Sequence, residues 1–212
     1  MTEVGAPLSH AAGSADARAV IDWWIGVPPY DADWLQARQA LWFGAAAQAD
    51  AHIREHFGPS IAAAADGQLD GWGARPVDWL ALLVLLDQFP RNLYRNDARA
   101  FANDAKARAA AEAGITQGFD QQLPATVRLF CYLPLEHAED PAAQRQSVAL
   151  FERLESDAPA ALQPLFATLT DYAHRHAEPI ARFGRFPHRN AVLGRTSTPQ
   201  ELEWLERHPQ GF

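Results

Sequence analysis

Apolar residues recur along most of the chain at spacings of three and four, which is the pattern of amphipathic helices. In residues 15–25 this spacing places Val20, Trp23 and Trp24 on one side of a predicted helix. Residues that favour helices dominate, whereas β-branched residues are sparse and the alternation typical of strands is almost absent. The pattern therefore predicts an all-α protein of about nine or ten helices, starting at Ala15.

Capping residues and prolines set the ends of the predicted helices. Asp31 or Asp33 can cap a second helix, Gly58-Pro59 is expected to stop a third over residues 45–57, and Thr198–Glu201 forms a capping box. The later predicted helices occupy residues 97–113, 123–132, 141–155, 159–177 and 198–208. Residues 1–14 lack periodicity and are predicted to be a loose tail, with residues 15–212 forming a single helical domain. The chain contains no fixed-period repeat.

The most apolar segment runs from Trp79 to Leu86 and follows Pro76, a residue typical of a first helical turn. Because it is hydrophobic on almost every side, it is predicted to be the central, buried helix. Eight apolar residues are far fewer than the ~20 that a helix needs to cross a bilayer. No membrane-spanning segment is expected.

Composition narrows the class of protein further. The chain has 212 residues, of which 48% are hydrophobic and 21% charged, as in ordinary globular proteins. The single cysteine, Cys131, lies between apolar neighbours and is expected to be buried, and the N-terminus lacks a signal-peptide pattern. These features predict a cytoplasmic protein. The net charge of −8 argues against nucleic acid or an anionic membrane as the partner.

Two segments share an unusual arrangement of residues: Leu86–Arg95 and Arg182–Asn190 each contain Phe-Pro followed by Arg-Asn. The proline is expected to end the preceding helix and to hold the Arg-Asn pair on a stiff loop. Five arginines and one acid, Glu178, also cluster within residues 174–195. The candidate ligand-binding residues of the two segments are Asp87, Gln88, Arg91, Asn92, Arg95, Arg185, Arg189 and Asn190. Alternatively, these arginines bind carbonyls at helix ends and pair with acids.

A third segment, residues 132–140, places His137 between two acids. Glu136 or Glu139 could orient the imidazole for acid-base chemistry, and the candidate catalytic residues are His137, Glu139 and His188. His137 and Glu139 could instead ligate a metal, with a further nitrogen from His174, His176 or His188. No metal-binding, phosphate-binding or nucleotide-binding signature is present, so no metal and no other cofactor is predicted.

Together these segments resemble the bacterial family named domain of unknown function 924. The resemblance rests on Leu86–Asn92 with Tyr94-Arg95, on Tyr132–Pro134 with His137, Glu139 and Gln144, and on Arg182–Asn190 with Leu193–Arg195 and Ser197-Thr198. It extends from about Val20 to Leu205. The resemblance implies an all-α fold similar to tetratricopeptide-repeat proteins, an array of antiparallel helix pairs without the repeat consensus, and it implies no particular activity. The family's usual serine between the histidine and the glutamate is Ala138 here, which counts against a serine nucleophile at this position.

Several function classes fit these residues. Arginines with amides and histidines suit a carboxylate or phosphate, because guanidinium groups bind such anions bidentately. The favoured hypothesis is one pocket, in which Asp87 or Glu139 pairs with an arginine, that binds a small anionic molecule and possesses acid-base groups. This pocket is expected to be lined by Arg91, His137, Glu139, Arg185 and His188. The alternatives are a helical scaffold that binds a peptide or protein partner, and arginine loops that are purely structural. The motifs assign no reaction, no ligand identity and no oligomeric state.

Overall fold

The structure, a computed structural model, describes residues 13–44, 47–160, 162–209 and 211. Over these ranges the regular structure is helical throughout, without a strand, and comprises nine continuous helices. The prediction of an all-α protein with about nine or ten helices is therefore confirmed. The α-helical segments are α1 (Ala15–Trp24), α2 (Ala32–Phe43), α3 (Ala47–His52), α4 (Gly58–Ala65), α5 (Pro76–Leu83), α6 (Phe89–Leu93), α7 (Asp104–Thr116), α8 (Leu129–Glu136), α9 (Pro141–Ser156), α10 (Gln163–Phe183) and α11 (Pro199–Arg207).

The chain divides into two compact units. Unit 1 comprises residues 1–95 and 99–134, and unit 2 comprises residues 96–98 and 135–212. The chain passes from unit 1 to unit 2 within α8. The proposed single domain over residues 15–212 stays a prediction. The proposed loose tail lies outside the described residues except for Gly13 and Ser14, and the Ser14 hydroxyl caps α1 by accepting from the Ala17 N–H at 3.2 Å.

The core of unit 1 is built around α5, as the apolar segment predicted. Every residue of α5 after Pro76 is buried, and so are the following residues to Leu86. Trp79 donates its indole N–H to the Ala110 carbonyl of α7 at 2.7 Å. This close approach requires Gly114, since a Cβ there would lie 2.1 Å from the Trp79 ring. Cys131 is buried as predicted, and burial raises the pKa of its thiol.

Two prolines that were expected to stop helices lie inside continuous helices instead. A π-helical turn at Ile53–Phe57 joins α3 to α4, and another at Val84–Gln88 joins α5 to α6. Pro59 and Pro90 each occupy the first turn after such a π-turn. In the second, the Phe89 N–H bonds to the Val84 carbonyl five residues earlier, and this wider turn accommodates the proline that follows. The predicted stop at Gly58-Pro59 and the predicted loop at Phe89-Pro90 were therefore wrong.

Unit 2 is built on the pairing of α9 with α10. Thr170 donates its hydroxyl to the Phe151 carbonyl at 3.3 Å, and His174 lies 3.3 Å from Glu152 on the exposed side. A short connection joins the two helices, which makes them antiparallel neighbours. α10 begins four residues later than predicted and continues six residues further, to Phe183, where Gly184 ends it at a φ of 70°.

The predicted helix starts at Asp140 and Thr198 are confirmed. The Asp140 carboxylate accepts from the N–H groups of Ala142 and Ala143, each at 2.8 Å, at the start of α9. Thr198 and Glu201 form a full capping box at the start of α11. Among the helices described, none is long and apolar enough to span a membrane.

Candidate functional site

Arg91 is the centre of a polar network in unit 1. Its guanidinium donates to both carboxylate oxygens of Asp104, at 3.0 and 3.1 Å, and to the carbonyls of Asp87 and Ala100. It also lies 3.5 Å from the Asp87 carboxylate. Burial acts to lower the pKa of Arg91, but Asp87 and Asp104 raise it above the ordinary value. The network ties α6 to the start of α7 and to the chain that precedes it.

The other candidates of the first segment have different surroundings. Gln88 donates to the Asp87 carboxylate at 2.5 Å, and both side chains are buried. Asn92 is buried, whereas Arg95 is more than a third exposed and pairs with Asp50. The expected pairing of Asp87 with an arginine is confirmed by Arg91, whose guanidinium lies near the Asp87 carboxylate.

In unit 2, Glu139 holds the second Phe-Pro segment in place. Its carboxylate accepts from Arg195 at 2.6 and 2.8 Å and from the Phe186 N–H at 2.8 Å. Arg195 in turn donates to the Phe186 carbonyl and to Asn190. Burial acts to raise the pKa of Glu139, but the hydrogen bonds from Arg195 and Phe186 lower it below its ordinary value. The Glu139 carboxylate thus holds the loop that contains Phe186 and Arg195, and its catalytic role stays a prediction.

Arg185 makes a second ion pair in the same unit. It donates to both oxygens of Glu201, at 2.6 and 2.8 Å, and to the Thr196 carbonyl at 3.0 Å. Glu201 is 2% exposed and also accepts from the backbone N–H of Thr198 at 2.7 Å. Hydrogen bonding to Arg185 is the main reason that the pKa of Glu201 falls to about 2. Asn190 donates to the same carboxylate at 3.3 Å.

Three imidazoles lie close together near the fully buried ring of Phe186. The rings of His176 and His188 lie 5.9 and 5.5 Å from the Phe186 ring, and His137 lies 6.0 Å from His176. The Arg189 guanidinium lies over the Phe186 ring at 4.4 Å and is itself buried. We call His137, His176, His188 and Arg189 the imidazole cluster.

Burial and neighbouring positive charges both affect the protonation of this cluster. Burial, with a further contribution from His137, lowers the pKa of His176 to about 3. Burial, followed by the charge of Arg189, lowers the pKa of His188 to about 4. Both imidazoles are therefore neutral at neutral pH, and each can donate one hydrogen bond and offer one nitrogen lone pair.

Two buried polar residues contact the histidines near the turn after α8: Glu136 lies next to His176, and Gln144 fixes the backbone around His137. The Glu136 carboxylate is 3% exposed and lies 3.1 Å from Nδ1 of His176. The Gln144 side chain donates to the carbonyls of Glu136 and Ala138, at 2.6 and 2.8 Å, and so fixes the backbone around His137. Residues from α8, α9 and α10 thus meet at one place in unit 2.

The predicted site residues fall into two groups, one in each unit. Unit 1 contains Asp87, Gln88, Arg91, Asn92 and Arg95, and unit 2 contains His137, Glu139, Arg185, His188, Arg189 and Asn190. The idea that both groups line one pocket stays a prediction. Sequence reasoning named His176 only among possible metal ligands and missed Asp104 and Glu201 as arginine partners. The capping box at Thr198–Glu201 was a signal for a buried glutamate, but nothing in the spacing pointed to its arginine.

An open cleft of about 530 Å³ lies between the end of α9 and the start of α10. Its polar lining includes Glu152, Glu155, Ser156 and Gln163. Two glutamates and no arginine or lysine make this cleft a poor fit for an anionic ligand.

The helices and the two arginine-rich segments define, over the described residues, an all-helical protein in which three imidazoles lie near Phe186 and Arg189 in unit 2. The family model described as "Bacterial protein of unknown function (DUF924)" matches residues 20–209, and the chain belongs to that family. The expected resemblance is thereby confirmed. The chain is also similar to the solved structure titled "Structure of Protein of Unknown Function ATU0120 from Agrobacterium tumefaciens". That similarity covers 90% of this chain and 97% of the other, at 38% identity and a TM-score of 0.75. Among curated proteins no match is found.

Proposed function

We propose that unit 2 binds a small anionic molecule, a carboxylate or a phosphate, at the imidazole cluster. The observation that carries this proposal is the meeting of His176, His188 and Arg189 around the Phe186 ring, with His137 next to His176. Neutral imidazoles donate hydrogen bonds and a guanidinium supplies positive charge, which is the combination that recognises an oxyanion.

The electrostatics of the cluster support the same class of ligand. Burial is the largest cause of the low pKa of His188, and the charges of Arg189 and Arg195 lower it further, whereas Glu139 acts to raise it. A positive potential that disfavours the imidazolium favours an anion for the same reason. The protein's own carboxylate in this region, Glu139, is engaged by Arg195.

Two imidazoles of the cluster also provide the acid-base groups of this proposal. His137 and His188 stay the candidates for proton transfer, and Glu136 can orient His176 through Nδ1. Glu139 leaves the list of candidate bases, because hydrogen bonds from Arg195 and Phe186 already occupy both of its oxygens.

Arg91 and Arg185 have a structural role in this proposal. Each guanidinium binds both oxygens of one carboxylate, and each also bonds a backbone carbonyl of its own unit. This agrees with the alternative that some of the segment arginines stabilise the fold.

A thermal-shift comparison at constant ionic strength tests the proposal. Inorganic phosphate or a small carboxylate should raise the midpoint of the wild-type protein more than chloride does, since a ligand of the native state stabilises it by about 2.7 kcal/mol at 100 times its Kd. Arg189→Gln and His188→Gln should each remove most of this shift. Arg153→Gln is the matched control, because Arg153 lies on the exposed surface of α9 in the same unit.

Two outcomes would contradict the proposal. One is a wild-type midpoint that responds to phosphate and carboxylates no more than to chloride. The other is an undiminished response in both Arg189→Gln and His188→Gln.

A further inference from the structure

Glu136, His137 and His176 meet in unit 2 with the chemistry of a metal site. One possible ligand atom from each lies within 4.8 Å of the other two. We propose that these three residues bind a divalent transition-metal ion of the zinc type. The inference goes beyond the anion site, because it stands on these three ligands alone and needs no anion.

The donor set favours this class of ion. Two imidazole nitrogens and one carboxylate oxygen are ligands that zinc and similar borderline metals accept, whereas Ca²⁺ and Mg²⁺ prefer oxygen ligands only. Three protein ligands also leave one tetrahedral position for water or another small molecule. The third ligand, His176, lies on α10, 39 residues after His137. This long separation explains why the sequence shows no short metal-binding motif.

His176 is held in an orientation that suits a ligand. Its Nδ1 lies 2.8 Å from the Tyr172 carbonyl and 3.1 Å from the Glu136 carboxylate. Since a carbonyl oxygen only accepts, Nδ1 carries the proton and Nε2 keeps its lone pair. A histidine that ligates a metal almost always donates its other N–H to a carboxylate, a carbonyl or water, and the Tyr172 carbonyl is that acceptor here.

The other two ligands are positioned by the turn after α8. Gln144 donates to the carbonyls on both sides of His137, so the backbone of that residue is fixed by a buried side chain. Glu136 is buried, and its carboxylate adds an oxygen ligand to the two imidazole nitrogens.

Arg189 limits where the ion can lie. Its guanidinium stacks on Phe186 and would repel a cation, whereas Glu136 attracts one. A position close to Glu136 and away from Arg189 is therefore favoured for the ion.

Titration of the metal-free, untagged full-length chain with Zn²⁺ tests the inference by calorimetry. We expect binding of one ion by the wild-type protein and a loss of at least about tenfold in affinity for each of His176→Gln, His137→Gln and Glu136→Gln, since even groups that only orient metal ligands contribute 10–100-fold. Titration with Co²⁺ should give the visible absorption of a nitrogen- and oxygen-ligated ion. Circular dichroism of each variant checks that it folds.

His174→Gln is the matched control. His174 lies on the same helix as His176 and also faces a glutamate, Glu152, but both side chains are more than half exposed. Its replacement should leave the affinity unchanged. The inference is overturned if the wild-type chain binds no Zn²⁺, if His174→Gln weakens binding as much as His176→Gln, or if the folded ligand variants bind like the wild type. Because the titration contains no phosphate or carboxylate, its failure would leave the anion proposal untouched.

Discussion

Three arginines in or just after the two Phe-Pro segments are bound by acids that lie 13 or more residues away in sequence. Arg91 pairs with Asp104, Arg185 with Glu201 and Arg195 with Glu139, at separations of 13, 16 and 56 residues. Residue types and local spacing could predict that these arginines need compensation. They could not identify the partners, because each partner is brought near only when the helices pack.

Removal of Arg185 should destabilise the protein. Arg185→Ala leaves the Glu201 carboxylate, which is 2% exposed, without its bidentate partner, so this variant should lose more unfolding free energy than a variant that breaks an exposed pair. Arg207→Ala is the control, since Arg207 and Glu203 form a pair on the exposed side of the same helix and should contribute less than ~1 kcal/mol. Urea unfolding measures both. Similar small losses in the two variants would refute a structural role for Arg185.

The stability that Glu201 provides should depend on pH. Its pKa in the folded protein is about 2, below the ordinary value for a glutamate, so its contribution is present at neutral pH. That contribution is lost as the pH falls from the ordinary glutamate range towards 2. We expect the difference in thermal midpoint between wild type and Glu201→Gln to shrink steadily over this interval. A difference that stays constant down to pH 2 would be inconsistent with the lowered pKa.

At the scale of helices, the apolar pattern and the capping residues predicted the buried helix and two helix starts correctly, whereas two prolines predicted helix ends that the structure does not show. The apolar run Trp79–Leu86 identified the buried helix, and Asp140 and Thr198 identified the starts of α9 and α11. Pro59 and Pro90 were expected to end helices but continue them after π-turns. The wider turn depends on how the neighbouring residues pack, and periodicity does not encode it.

A large-to-small change in α5 tests how deeply this helix is buried. Leu83 is 1% exposed, so Leu83→Ala should cost about 2–5 kcal/mol of unfolding free energy through lost burial and the cavity left behind. Leu202→Ala is the comparison, because Leu202 is 53% exposed on α11 and should cost little. Chemical unfolding of both variants gives the values. A cost below about 1 kcal/mol for Leu83→Ala would mean that the helix is not the centre of the core.

At the scale of the whole molecule, the sequence predicted the fold class and the family, and it predicted the residues of the proposed site only in part. Helical periodicity alone was enough for the all-α class, and three long motifs identified the family. The second and third motifs meet within unit 2, where Glu139, Phe186 and Arg195 join them through hydrogen bonds. His176 belongs to none of the three motifs. It joins the proposed site because α10 packs against the turn after α8, and the motifs do not encode that packing.

The most direct test of the account is the side-chain NMR spectrum of the chain's eight histidines during titration with inorganic phosphate. If the imidazole cluster binds an anion, the resonances of His137, His176 and His188 shift together and saturate, whereas that of the exposed His174 stays in place. Ionic strength is kept constant with chloride. Resonances of the cluster that do not move, or that drift in parallel with His174 without saturating, would contradict an anion site in unit 2.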